Sequence, residues 1–263
     1  MTAPTAEFLV ESRKAGADFS HTLTLGHQTL FVSPRRLRRL LRENGLWPEQ
    51  LSAREFYAEF TESPGYIDPF LQAIGADEVH AMDASPYEGA DVVQDLNTPV
   101  PEQFKERYTV VFDGGTLEHI FNFPTVKNCM EMLRPGGTLF VNVIANQQFG
   151  HGFYQVSPEL FFRALAPENG FTVERMHAYE GVMGASSALG LPYEFQWMGP
   201  RLPSRGPDAP WWPSRALQSV AAGAHGRGPQ DRDCPGVSRT STAERLPGNL
   251  DQPRRRSHSR ALW

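Results

Sequence analysis

Three short apolar runs in this chain each end on a carboxylate, at Asp83, Asp95 and Asp113. The third is followed at once by Gly114 and Gly115, then by Glu118 and His119. Further on, a polar and aromatic stretch over residues 146–155 carries His151, Tyr154 and Gln155. Ligands of open parallel sheets bind outside the carboxyl ends of the strands, so acids repeated at strand ends would line one crevice. A single strand-terminal Asp is commonly just a cap for the next turn, but three in succession favour a site. Histidine titrates near neutral pH, which makes His119 and His151 candidates for a general base and Glu118 a third. Amide, imidazole and aromatic groups together in the 149–155 stretch suit a small polar ring, and they equally suit a loop packing on its own domain. Adjacent residues such as Glu118 and His119 do not share a helix face, so no metal site is expected from them.

The elements that would position these residues alternate between helix and strand, the pattern of a mostly parallel sheet covered by helices. A β-branched strand over 21–26 comes first. Ser33 and Pro34 then open a helix with Leu37, Leu40 and Leu41 on one face, and Gly45 stops it. Ser52 and Glu55 have the spacing of a capping box ahead of Phe56, and Asp68 with Pro69 opens a further short helix. Strands follow over 78–83, 90–95 and 108–113. Asn122 and Pro124 start a helix that carries Val126, Cys129, Met130 and Leu133, with strand 138–144, a helix from Ser157 and strand 171–176 after it.

Composition divides the chain near position 200. Every Phe, Tyr, Met, Ile and Lys of the 263 residues precedes it, and 201–263 is rich in Arg, Pro, Gly, Ser and Ala. Without those Phe, Tyr, Met and Ile side chains a segment has little to offset an ordering cost of roughly 1–2 kcal/mol per residue. One α/β domain over 1–200 and a disordered tail over 201–263 are therefore expected. Such a bias also arises when GC-rich coding sequence is read out of frame, so a frameshifted ending stands beside a genuine extension. The tail holds eleven Arg and five acidic residues, hence +6; the whole chain is −5, which leaves −11 for 1–200. An acidic domain gives no footprint for a nucleic-acid backbone, and the Arg-rich tail lacks the interleaved aromatics of binding segments. Two cysteines, Cys129 and Cys234, exclude a disulfide framework. The first twenty residues contain no apolar run, and nowhere do about 18 apolar residues follow one another, so a cytoplasmic location without membrane contact is expected.

Four segments together resemble the class I S-adenosylmethionine-dependent methyltransferases, a Rossmann-like family, over residues 23–176. They are the stretch from Asp83 to Ala90, Asp95-Leu96-Asn97, the run from Phe112 to Pro124 with Leu117-Glu118-His119 at its centre, and Leu133-Arg134-Pro135-Gly136-Gly137. The resemblance implies S-adenosylmethionine as cofactor. Asp83 would then accept from its ribose hydroxyls, an acceptor-only group matched to a vicinal diol. Asp95 would receive the adenine amino group with Leu96 packed near the ring, and Asp113 and Gly114 would lie by the amino-acid part. Glu118 and His119 would wall an acceptor pocket shared with His151, Tyr154 and Gln155. The implied acceptor is a small polar molecule such as a sugar or metabolite, and two further strands are expected after 171–176. The first motif departs from the family: the turn after the first strand has one glycine, Gly26, and Asp83 lies 57 positions later, where about 20 is usual. Either the helices between 52 and 74 form an insertion, or the first strand lies elsewhere. A catalytically silent binding module of the same fold is the alternative that this departure raises. A short-chain dehydrogenase is not supported, since Val10, Pro101 and Phe123, not Tyr, stand four residues before the three lysines.

Overall fold

The structure, a computed structural model, describes residues 1–49, 52–61, 65–146, 148, 150–179, 195–198 and 219–226. In chain order the longer elements are α1 (Ala3–Lys14), β1 (His21–Leu25), α2 (Pro34–Glu43), α3 (Ala53–Thr61), α4 (Asp68–Ala73), β2 (Glu78–Asp83) and β3 (Val92–Val93). They continue with β4 (Tyr108–Asp113), α5 (Asn122–Met132), β5 (Leu133–Ile144), α6 (Pro158–Ala164), β6 (Phe171–Tyr179), β7 (Phe195–Met198) and β8 (Ser219–Gly226). The strands form one sheet in the order β3-β2-β1-β4-β5-β8-β6-β7. The first five are parallel to one another, and β8 runs antiparallel between β5 and β6. This is a doubly wound, Rossmann-like α/β fold, and its strand order reverses between β1 and β4, the switch point at which such folds bind ligands.

All six residues of β4 are buried because both faces of the sheet are covered. One face packs Leu23, Met82, Val111 and Leu139 with Val126, Cys129 and Met132 of α5 and Phe161 of α6. The other packs Val110, Phe112 and Phe140 with Phe8 and Leu9 of α1, Leu37 and Leu41 of α2, and Phe70 of α4. Residues adjacent along β4 thus serve opposite cores, which is why the run is continuously apolar.

The cap at Ser52 forms as its spacing predicts, whereas β3 covers only Val92–Val93 of the expected 90–95, and β5 begins at Leu133, expected in the preceding helix, and not at 138. The Ser52 amide donates to the Glu55 carboxylate at 2.8 Å and the Glu55 amide to the Ser52 hydroxyl at 3.2 Å, a completed capping box. Three helices, α2 to α4, stand between β1 and β2, so the long spacing from Gly26 to Asp83 is a helical insertion in the first crossover.

Two further features differ from the expectations. Helix α1 was not among the anticipated elements, yet it buries Phe8, Leu9 and Val10, starts with Pro4 in its first turn and ends on Arg13 and Lys14. The second lies inside 201–263, where Ser219–Gly226 pairs with β5 on one side and β6 on the other. A strand between two others is held by backbone hydrogen bonds along both edges, and small residues suffice for that. The remainder of 201–263, including Cys234 and the arginines at 254–256, lies outside the described residues. By compactness the chain divides into Met1–Arg232 and Asp233–Trp263. No helix among the described residues is long and apolar enough to cross a membrane.

His177 on β6 is 2% exposed and meets the Phe8 ring edge-on, with centroids 4.8 Å apart. Burial, with the Arg175 charge adding to it, pushes its pKa down to about 4, although Glu11 lies 4.0 Å from its Nε2. The unfolded chain therefore takes up a proton between about pH 6.5 and 4 that the folded chain refuses, and stability falls as pH is lowered through that window. A loss of about 2–3 kcal/mol is expected, and His177→Gln should flatten it. Urea midpoints at pH 7 and pH 4.5 for both proteins check this; parallel losses in the two would exclude His177 as the source.

Candidate active site

The turn after β1 sits at the switch point. Gly26 adopts a left-handed φ of +70°, and its amide donates to the Met82 carbonyl at 2.7 Å. A Cβ there would lie 3.6 Å from Thr116 Oγ1 and 3.7 Å from Asp83 Oδ2, so the bare backbone of Gly26 brings the ends of β1, β2 and β4 into one small region. Thr116 closes it by donating its hydroxyl to the Leu25 carbonyl at 2.9 Å.

Contacts from the segment before α4 brace this turn. The His27 ring stacks on Tyr66 at 3.3 Å and reaches the Glu88 carbonyl at 2.8 Å and the Asp68 carboxylate at 3.1 Å. The Ile67 amide donates to the Gln28 carbonyl and the Leu30 amide to the Gly65 carbonyl. The segment before α4 is thereby joined to the turn after β1. None of these contacts was foreseen, because they join positions about 40 to 60 apart with no local spacing signal.

Asp83 accepts from the Ser85 amide at 3.0 Å through Oδ1, while Oδ2 faces Gly26. Asp95 is exposed, and its Oδ1 takes the backbone and side-chain N–H groups of Asn97 at 2.9 and 2.8 Å. Leu96 is 5% exposed and belongs to the core. Gly114 lies under the Gln28 amide so closely that a Cβ would stand 2.1 Å from its Oε1. Gln28 in turn donates to the Leu25 carbonyl at 2.5 Å.

Asp113 is fully buried and points into the protein, where its Oδ1 accepts from the amides of Thr116 at 2.8 Å, Leu117 at 3.3 Å and Gly115 at 3.4 Å. Its Oδ2 has no hydrogen-bond partner among the described residues. Burial pushes the carboxyl up to about pKa 7 against the pull of those three amides. Glu118, 2% exposed, is pushed up to about 8, first by burial and then by the Asp113 charge, and its Oε2 is also unpartnered.

Leu117–His119 forms a single 3-10 turn after Thr116, and the following loop folds back onto it. The amides of Phe153 and Tyr154 both donate to the Glu118 carbonyl, at 2.5 and 3.3 Å. That docking brings His151 to His119, with the two Nε2 atoms 3.2 Å apart, and places His151 Nε2 3.8 Å from Glu118 Oε1. His119 has its pKa lowered, by burial first and by His151 second. Glu118 and His119 were not expected to form a metal pair from their adjacency; together with His151 they offer donor atoms all within 4.8 Å of one another. Residue adjacency said little here, because the 3-10 turn and the returning loop, not a helix face, set the geometry. Tyr154 is half-buried and Gln155 exposed, and Gln147 and Phe149 of the same stretch lie outside the described residues. Phe121 and Phe153, 62% and 72% exposed, stack at 6.4 Å at the rim.

No family model matches the chain, and no curated protein matches its sequence. Solved structures do overlap it. The Burkholderia thailandensis 1,6-didemethyltoxoflavin-N1-methyltransferase, bound to 1,6-didemethyltoxoflavin and S-adenosylhomocysteine, is 14% identical over 85% of this chain and 77% of its own, with a TM-score of 0.39. The Thermus thermophilus branched-chain polyamine synthase, with N4-aminopropylspermidine and 5'-methylthioadenosine, is 16% identical over 86% of this chain and 56% of its own, with a TM-score of 0.41. At such scores the overlaps do not bear on the chemistry, which rests on the residues of the crevice.

Proposed function

We propose that the chain is an S-adenosylmethionine-dependent methyltransferase acting on a small polar acceptor. The observation that carries the reading is the meeting of Gly26, Asp83 and Thr116 at the strand-order reversal, where a carboxylate stands beside backbone with no Cβ in the way. Asp83 is the group for the ribose diol, as an ionised carboxylate accepts from two neighbouring hydroxyls. Exposed Asp95 is placed in sequence for the adenine amino group, with Leu96 beside it. Gly114 leaves room over the end of β4 for the amino-acid part once the Gln28 side chain swings aside, and Asp113 supports that strand end from within. When bound, the cofactor supplies the activated methyl group, and the protein has to orient the acceptor, which needs no protein nucleophile. In the metal-free protein His119 or His151 takes the acceptor's proton, and Tyr154, Gln155 and Glu118 wall its pocket.

Calorimetric titration with S-adenosylmethionine tests this directly. Saturable one-to-one binding is expected; no heat and no saturation would remove the reading. Asp83→Ala should weaken that binding by about 1–3 kcal/mol, the range of a charge-assisted hydrogen bond, with an unchanged circular dichroism spectrum. Equal affinity in a folded variant would take Asp83 out of the site.

A further inference from the structure

We propose that Glu118, His119 and His151 bind a divalent first-row transition metal ion through two imidazole nitrogens and one carboxylate oxygen. The proposal goes beyond the methyltransferase reading and does not depend on it.

The donor set is the first ground. Imidazole with carboxylate suits zinc, iron, cobalt or nickel, not calcium or magnesium, which take oxygen shells. The second is geometry. Two nitrogens held by one tetrahedral ion at about 2.0–2.1 Å each stand about 3.3 Å apart. His119 and His151 hold their Nε2 atoms at 3.2 Å, and the third donor lies within 4.8 Å. The approach of Glu118 Oε1 to His151, 3.8 Å, is too long for a hydrogen bond, and a bridging ion would draw the pair together.

The third ground is the carboxylate itself. Its side chain is 3% exposed, its Oε2 has no hydrogen-bond partner among the described residues, and the Asp113 carboxyl is near enough to repel its charge. Two buried carboxyls side by side are costly, and a bound dication offsets that cost. The fourth is rigidity. The loop that carries His151 is tied to the Glu118 carbonyl by the amides of Phe153 and Tyr154, so the backbones of these two ligands are held together before any ion arrives. Three protein ligands leave at least one coordination position open, the arrangement of a site that takes water or a substrate atom. An ion there occupies the nitrogens that the metal-free pair offers as a base.

The test uses the full untagged chain, freed of metal with a chelator and titrated with Co²⁺ under its visible absorption, followed by Zn²⁺ in competition. One saturable site with the bands of a low-symmetry cobalt centre is expected, displaced by one equivalent of zinc. His119→Ala and His151→Ala should each weaken Co²⁺ binding by about tenfold or more. Glu118→Gln should do the same, and should it fail to fold, the two histidine variants, whose side chains are not fully buried, decide alone. Zinc should raise the melting temperature of the parent chain and leave that of the double histidine variant unmoved. No saturable cobalt site in the parent chain, or an unchanged site in both histidine variants, would overturn the assignment.

Discussion

Asp113→Ala is expected to lower the stability of the folded chain by about 3–4 kcal/mol, the largest effect of any single change at the strand ends. The reason lies in the three amides that share its Oδ1, those of Gly115, Thr116 and Leu117. They belong to the chain as it leaves β4, the turn is buried around Leu117, and water cannot replace the lost acceptor there. Part of the gain is offset in the parent protein, because the buried carboxyl leaves Oδ2 unpartnered. Asp113→Asn keeps an acceptor of the same shape and removes the charge, so it should cost far less, about 1 kcal/mol. Urea denaturation of the two variants at one pH measures the difference. If alanine and asparagine proved equally mild, the turn would be organised by something other than this side chain.

Gly152→Ala is the second. Gly152 has a φ of +67°, and a Cβ on it would stand 2.6 Å from the Glu118 carbonyl oxygen and 3.1 Å from its carbon. Backbone cannot yield as the tip of a flexible side chain can, so the loop has to lift away. Steric conflict added to left-handed strain is expected to cost about 2–4 kcal/mol of loop docking. Because the loop is at the surface, the loss should be local: amide exchange at Phe153 and Tyr154 should accelerate by a hundredfold or so while β4 stays protected. Gly150 is the control. It too has a positive φ, +82°, but nothing lies within 4 Å of its missing Cβ, and alanine there should cost only about 1 kcal/mol. Equal exchange rates in Gly152→Ala and the parent would show that the loop is held by its side chains instead.

What the sequence revealed followed from short-range physics. The strands ending at Asp83 and Asp113 were legible because β-branched and apolar residues run unbroken up to a carboxylate, and the Ser52–Glu55 cap because its partners are three positions apart. The Ser157 cap was legible for the same reason, and its hydroxyl accepts from the Glu159 amide. The site was legible only as a set of residue types. That His151 meets His119 depends on a 32-position return of the chain, and the seating of Gln28 over Gly114 depends on two loops from different crossovers. Helix α1 lacks a strong stripe, since its buried positions include Thr5 and Ser12 as well as Phe8 and Leu9. β8 was hidden for another reason: Val220 is its single β-branched residue, and alanine and glycine around it read as spacer.

The place of β8 also governs the order in which the sheet can be assembled. β5 and β6 are synthesised well before residue 219, yet the edges that they turn toward each other are paired only when β8 is delivered between them. During translation the β3-β2-β1-β4-β5 part can close on local parallel crossovers, while β6 waits with an open backbone edge. The closing step is then a late, long-range insertion, entropically slow and dependent on the ribosome having released everything through Gly226. A nascent chain of this protein thus keeps that edge open until residue 226 has emerged, when most of its core is already built.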